Sequence, residues 1–201
     1  MSCAEKAPRP TFTELEEVPV RKVVAVELMS VDGVMESPEE WAFSCSDDEM
    51  EEANTSGMAT SDALLLGRVT YEGLAAFWPH QPGGTPMVDY INSVAKYVIS
   101  TTLGEVGWNN STLIQGNVAE EIAELKWRPG KDITILGSGA LVRSLLKDRL
   151  LDQLRLMVHP VVLGYGKHLF EDGDDRKPSE LIDSRTFGTG VIYLTYRPAG
   201  Q

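Results

Sequence analysis

In Ile133-Thr134-Ile135-Leu136-Gly137-Ser138-Gly139-Ala140-Leu141-Val142, a β-branched run stops at glycines and resumes with helical spacing at Leu141, Leu145 and Leu146. That order reads as strand, tight turn and helix. Glycines at such a junction let backbone N–H groups approach an anion, and the positive end of the helix dipole favours one there. The chemistry this suggests is capture of a phosphorylated ligand. The plain reading is glycine used only to turn, because Gly-Ser-Gly is neither the dinucleotide fingerprint nor a Walker loop, and the segment alone fits that reading better. A second junction follows the same plan. Ala63-Leu64-Leu65-Leu66 ends at Gly67-Arg68, and Thr70 reads as the cap of a helix carrying Leu74, Phe77 and Trp78.

Other reactive side chains are sparse. The two cysteines, Cys3 and Cys45, cannot build a disulfide framework or a four-ligand zinc site, and Cys45 has no evident base partner to make it a nucleophile. His80, His159 and His168 are scattered without metal-ligand spacing, so no metal site is read.

These junctions need a sheet to hold them. Lys22 to Met29 is almost continuously apolar, as for a central strand covered on both faces, and stops at the turn Asp32-Gly33. Val34 to Ser46 reads as a long irregular loop with Trp41 and Phe43 in polar surroundings, and Asp47 to Met58 as a helix with an acidic start capped by Ser46. After Thr70's helix come a short helix near Met87 to Val94, strands at Lys96 to Ser100 and Thr112 to Ile114, and a helix from Val118 to Lys126. Gln153 to Leu163 and Phe187 to Arg197 read as long strands, antiparallel at one edge, with glycine-rich punctuation between them. The predicted class is α/β: three layers around a mostly parallel mixed sheet with antiparallel C-terminal edge strands.

The chain has 201 residues and a formal net charge of -12, enough for one domain with a core and too acidic for sequence-independent nucleic-acid binding. No apolar run approaches the roughly 20 residues of a membrane span. Residues 1–20 mix prolines with acids and read as a flexible leader without a secretory signal, followed by one domain over 21–201 in a cytoplasmic protein.

Four segments stand in a fixed order: Ser30-Val31-Asp32-Gly33, Leu66 to Tyr71, Leu136-Gly137-Ser138-Gly139 and Pro160 to Gly166. Their order and spacing resemble the dihydrofolate-reductase-like superfamily, most closely the reductase domain of the bacterial bifunctional riboflavin-biosynthesis deaminase-reductase and its stand-alone relatives. The resemblance spans about Arg21 to Arg197 and reverses the balance at the glycine turn. It implies an NADPH-dependent reductase whose cofactor lies across the carboxyl ends of the strands. By that resemblance Gly67, Arg68 and Thr70 hold cofactor phosphates, and Ser100 and Thr101 lie near the adenosine end and its 2′-phosphate. Gly137, Ser138, Gly139, Ala140 and Leu141 wrap the pyrophosphate, while Leu28 and Met35 approach the nicotinamide. Gly137-Ser138 matches a Gly-Gly pair that is cis in folate reductases, so a cis bond is expected here.

For the substrate face the expectation is Trp41, Phe43, Leu74, Phe77 and Trp78, with core or loop packing as the plain alternative. Folate reductases carry a proton-donating carboxylate on the helix before the second strand, which brings in Asp48 and Glu51, with Glu52 beside them. A solvated helix start explains the same residues. His159 could sit near the substrate, but a histidine held by a backbone partner is the simpler account. Val158 stands where, in the approximate alignment, folate reductases place a supporting threonine. Arg143, Lys147 and Lys167 could meet a ribose phosphate or simply be solvated. The implied substrate is a small heterocycle resembling a phosphoribosylamino-pyrimidine or a pterin. Deamination is not expected, because the motif H-x-E…P-C-x-x-C is absent. The competing reading is a nucleotide-binding module without catalysis. A homodimer is expected through the C-terminal edge.

Overall fold

A computed structural model describes residues 20–43, 47–173 and 176–199. Eight strands form one sheet: β1 (Val23–Ser30), β2 (Ser61–Gly67), β3 (Ala95–Ile99), β4 (Ser111–Ile114), β5 (Asp132–Leu136), β6 (Gln153–His159), β7 (Ser179–Thr186) and β8 (Ile192–Pro198). Six helices connect them: α1 (Pro38–Trp41), α2 (Asp48–Ala59), α3 (Arg68–Phe77), α4 (Pro86–Ser93), α5 (Val118–Trp127) and α6 (Gly139–Lys147). The strand order is β4-β3-β2-β5-β1-β6-β8-β7. Pairs from β4 to β6 are parallel, while β6–β8 and β8–β7 are antiparallel. The predicted class is the observed one.

The near-continuous apolar strands are explained by helices on both faces. On one face Val23, Ala25, Ala63, Leu65, Ile133 and Ile135 pack with Ile122 and Leu125 of α5 and with Leu141, Val142 and Leu145 of α6. On the other, Leu64, Leu66 and Val98 pack with Tyr71 of α3 and Ile91 of α4, and Met50 of α2 meets Met157, Phe187 and Val191. Truncating a fully buried leucine of β2 to alanine is expected to cost about 2–5 kcal/mol.

Several local readings are corrected. Asp47, not Ser46, caps α2, its carboxylate accepting the Met50 N–H at 2.9 Å; Ser46 and Cys45 lie outside the described residues, as do residues 1–19 of the expected leader. The loop after Val34 contains the single turn α1. Helix α3 starts at Arg68 with Gly67 as its cap, so Thr70 is already inside the first turn. Strand β6 stops at His159, because Pro160 has no N–H for the ladder and Val161 turns back to donate to His159's carbonyl. The last long run splits: Phe187 to Val191 is a turn before β8, and β7 is an additional strand. Strand β7 is exposed along nearly all its length and so leaves no alternating apolar pattern in the sequence.

Among the described residues, two charged side chains on the strands are almost wholly buried. Lys96 of β3 is fully buried, and its ammonium donates to the carbonyls of Val94 at 2.9 Å and Asn109 at 3.2 Å, 4.2 Å from the Trp108 ring centroid. Burial pushes its pKa down to about 8, while the two carbonyls and the indole face favour the charged form. Glu27 of β1 shares the α5–α6 face with Val23 and Ala25; it is 1% exposed, and Oε1 has no hydrogen-bond partner among the described residues. Burial raises its pKa from 4.5 to about 8.

Between those values the folded carboxyl keeps a proton that the unfolded chain has lost, so stability falls as pH rises through this window and levels off above it. At pH 7 the loss is about 3 kcal/mol, on the order of 10 °C in Tm for a domain of this size. Thermal unfolding of the wild type at pH 5 and pH 8 should show this decline, and Glu27→Gln should flatten it. An unchanged slope in the variant would assign the decline to other groups.

Candidate active site

The carboxyl ends of β1, β2, β5 and β6 lie along one edge of the sheet. Strand β5 leads to α6 on one face, whereas its neighbours β2 and β1 lead to α3 and α2 on the other. Chains diverging to opposite faces open a crevice at the strand ends, where open α/β sheets bind ligands.

Three glycines line this crevice, each with a neighbouring side chain packed where its own Cβ would stand. A Cβ at Gly67 would collide with Ser138 Oγ and lie 2.9 Å from Ser138 Cβ; one at Gly137 would lie 3.3 Å from Thr70 Oγ1. At Gly139 it would lie 2.9 Å from Met35 Sδ. Gly67, Thr70, Gly137, Ser138, Gly139 and Met35, all expected at the cofactor, therefore come together. Gly137 and Ser138 are both left-handed, with φ of 63° and 69°. Glycine takes this conformation freely, but at Ser138 it costs about 1 kcal/mol. No peptide bond among the described residues is cis, which corrects the expectation for Gly137-Ser138.

Two helices start here, and neither cap side chain bonds its helix: Gly67 has none, and Ser138 makes no cap hydrogen bond. Of the other helices, α2 and α4 are capped by Asp47 and Thr85, whereas α1 and α5 also make no side-chain cap hydrogen bond; what sets α3 and α6 apart is that their starts meet. The leading N–H groups of α3, and those of Gly139 and Ala140 ahead of the Leu141 N–H that donates to the Ser138 carbonyl at 2.8 Å, thus meet at one crevice without a side-chain cap, an arrangement suited to an anion. Arg68 begins α3, half exposed, and pairs with Glu72 at 3.0 Å. Ala140 is exposed, whereas Leu141 is buried in the core. Strand β3 ends at Ile99, one residue before the expected end, and Ser100 follows it as a turn-former, its hydroxyl accepting the N–H groups of Thr102 and Leu103, beside exposed Thr101.

The loops after β1 and β6 are joined at several points. Val31 donates to Val161, Met35 donates to Lys167, Val34 bridges His168, and Lys167 pairs with Glu36. Asp32 accepts from the Ser30 hydroxyl and from the N–H groups of Gly164 and Leu163, which pull its pKa down to about 2. It is the turn-former expected of an Asp-Gly pair. Arg143 reaches the Leu169 carbonyl and Glu171, beside a cleft of about 400 Å³ lined by Lys167, His168 and Phe170; Lys147 is exposed.

The expected substrate residues do not gather in one place. Leu74 and Trp78 pack into the Tyr71–Trp108 cluster, Phe77 is exposed with its ring 5.3 Å from Trp78's, and Phe43 is also exposed. Trp41 instead lies edge-on to His159, with ring centroids 5.5 Å apart. Leu28 packs against the Met50 cluster. Asp48, Glu51 and Glu52 are exposed and Met50 faces the sheet, a placement that fits the solvated-helix reading of those acids. Met157 packs with Met50, while Val158 packs on the other face of the sheet. His159 is buried with no partner at either ring nitrogen among the described residues, correcting the expected backbone partner. Sequence reasoning passed over Glu27, although one acid inside an apolar run was a visible signal.

Residues 21–193 match the family described as the RibD C-terminal domain. The chain belongs to that family. Uncharacterized protein YyaP of Bacillus subtilis (strain 168) is 35% identical over 138 residues, covering 67% of this chain and 73% of YyaP. A putative riboflavin biosynthesis protein from Shewanella sp. PV-4 superimposes with a TM-score of 0.71 at 21% identity, over 89% of this chain and 99% of that one. Dihydrofolate reductase from Enterococcus faecalis, solved with NADP(H) and RAB-propyl, gives 0.53 at 16% identity, over 89% and 97%. This RibD C-terminal domain therefore has a dihydrofolate-reductase-like fold.

The Gly67–Ser138 contact is directly testable. Gly67→Ala should destabilise the domain by on the order of 1–3 kcal/mol through overpacking. Adding Ser138→Gly should restore most of that loss in urea unfolding, because it removes the colliding side chain. Equal losses in the single and double variants would show that the contact is not the cause.

Proposed function

We propose that this chain is an NADPH-dependent reductase that passes hydride to a small nitrogen heterocycle of the phosphoribosylamino-pyrimidine or pterin kind. The observation that carries the reading is the pair of helix starts meeting at Gly67 and Ser138 without side-chain caps. Membership of the RibD C-terminal domain family supports it, as does a fold shared with a dihydrofolate reductase solved with NADP(H).

The residues present fit a dinucleotide. The first N–H groups of α3 and α6 would receive the phosphates, and Arg68 and Thr70 add a cation and a hydroxyl at α3. Ser100 and Thr101 would meet the adenosine end. Leu28 and Met35 would flank the nicotinamide, and the Gly137–Leu141 turn would let the backbone approach the pyrophosphate. The cofactor supplies the hydride when bound. The protein's part is to orient the two rings and exclude water. Among the described residues no helix is long and apolar enough to cross a membrane.

Quenching of the four tryptophans on titration with NADPH and NADH tests the reading. NADPH should bind more tightly than NADH, and Arg68→Ala should weaken NADPH and narrow the difference. Glu72→Gln should tighten NADPH by up to about fivefold, since it frees Arg68 from a half-exposed ion pair worth at most about 1 kcal/mol. No saturable binding of either cofactor would remove the reading. Saturable binding with no oxidation in the presence of any pterin or pyrimidine would favour a non-catalytic module.

The proposal includes a two-fold homodimer. Its support is β7, which leaves an exposed edge of the sheet uncovered. Light scattering should give about twice the 22.1 kDa chain mass. A mass near 22.1 kDa would refute the dimer.

A further inference from the structure

Helix α2 turns Met50, not a carboxylate, toward the sheet, leaving one strongly polar side chain at the corner between α1 and the strand ends. His159 is the last residue of β6 and stands in register with Ser30, the last of β1. Alternation along β6 places it on the side of Met157, facing the α2 layer.

It is 1% exposed, and neither Nδ1 nor Nε2 has a hydrogen-bond partner among the described residues. The neighbouring polar groups are committed elsewhere. Ser30's hydroxyl donates to Asp32 and accepts from the Val34 N–H, and His159's own carbonyl takes the Val161 N–H. Buried polar atoms left unmatched are costly, and they concentrate where a ligand supplies the missing partner.

We propose that His159 is the residue that hydrogen-bonds the substrate's ring, with Trp41 as its aromatic cover. The inference rests on the reductase reading and names the substrate face of that site. Desolvation lowers the imidazole's pKa, so near neutral pH the ring carries one N–H donor and one acceptor nitrogen. Either can pair with the edge of a pyrimidine or pterin, which alternates N–H, C=O and ring nitrogen. The surroundings suit a flat aromatic ligand: the Trp41 ring meets His159 at an interplanar angle of 83°. Trp41 ends the one-turn helix α1, in which no residue is fully buried, and its indole N–H donates to the Glu36 carbonyl at 2.9 Å, which holds the ring over His159 from outside the core. Leu28 and Met157 lie on the same face, directly opposed on β1 and β6. The corner therefore adjoins the strand position assigned to the nicotinamide.

The test uses 5,6-diaminouracil and 7,8-dihydrobiopterin as probes, each titrated with and without saturating NADPH. The ¹⁵N resonances of the His159 ring should move on saturation with at least one probe. In His159→Phe, which keeps a flat ring but no nitrogen, that probe's Kd should rise by about tenfold or more. NADPH affinity should be unchanged in this variant, which also shows that it folds. The proposal is overturned if the ring nitrogens do not respond to a bound probe, if His159→Phe binds it as tightly as wild type, or if neither probe binds the wild type. Failure of NADPH to bind would count against the reductase reading separately, because the cofactor-free titrations still report on His159.

Discussion

The placement of β5 between β1 and β2 is the constraint on which the rest of the structure depends. Two strands adjacent in sequence are kept apart by a third that arrives much later, and its register with both, Val26 against Leu136 and Leu65 against Ile135, fixes where their ends fall. Gly67 and Ser138 touch only because of that register. From it follow the two helix starts, the crevice between them and the approach of Met35 to Gly139. None of these would survive a slip of one residue, which would turn every buried side chain of β5 to the opposite face.

The polar groups placed inside this sheet are satisfied in different ways. Lys96 keeps its charge company with two carbonyls and an indole face, so it acts as an internal tie between β3 and the Asn109 loop. Glu27 lies among hydrocarbon side chains and is most stable holding its proton. His159 has neither solution within the described protein. The sequence leaves a trace of each, since a charged or ionisable residue inside an apolar strand conflicts with its local pattern, and such conflicts concentrate at sites that bind or react.

Much of the fold was legible because burial on both faces writes long apolar strands and glycine marks their ends, as at Leu66-Gly67 and Leu136-Gly137. What was not legible had a physical reason in each case. Strand β7, Ser-Glu-Leu-Ile-Asp-Ser-Arg-Thr, buries neither face, so its pairing with β8 leaves no periodicity. Val161, Val162 and Leu163 prolong the strand-like apolar run of β6 beyond its end, and the proline before them decides where pairing stops. The site was legible where backbone geometry demands glycine. It was not where side chains from distant elements must meet, as Trp41 of α1 and His159 of β6 do, because nothing local records that contact.

The two loops at the mouth of the site are tied together from Val31–Val161 to Glu36–Lys167, with Asp32 bound to both Leu163 and Gly164 between them. Segments about 130 residues apart in the chain are thus fastened to each other where they leave the sheet, at Ser30 and His159. The backbone that carries Met35 to Gly139 and the backbone that follows the buried imidazole form one connected piece, so neither wall of the site is built by a loop standing alone.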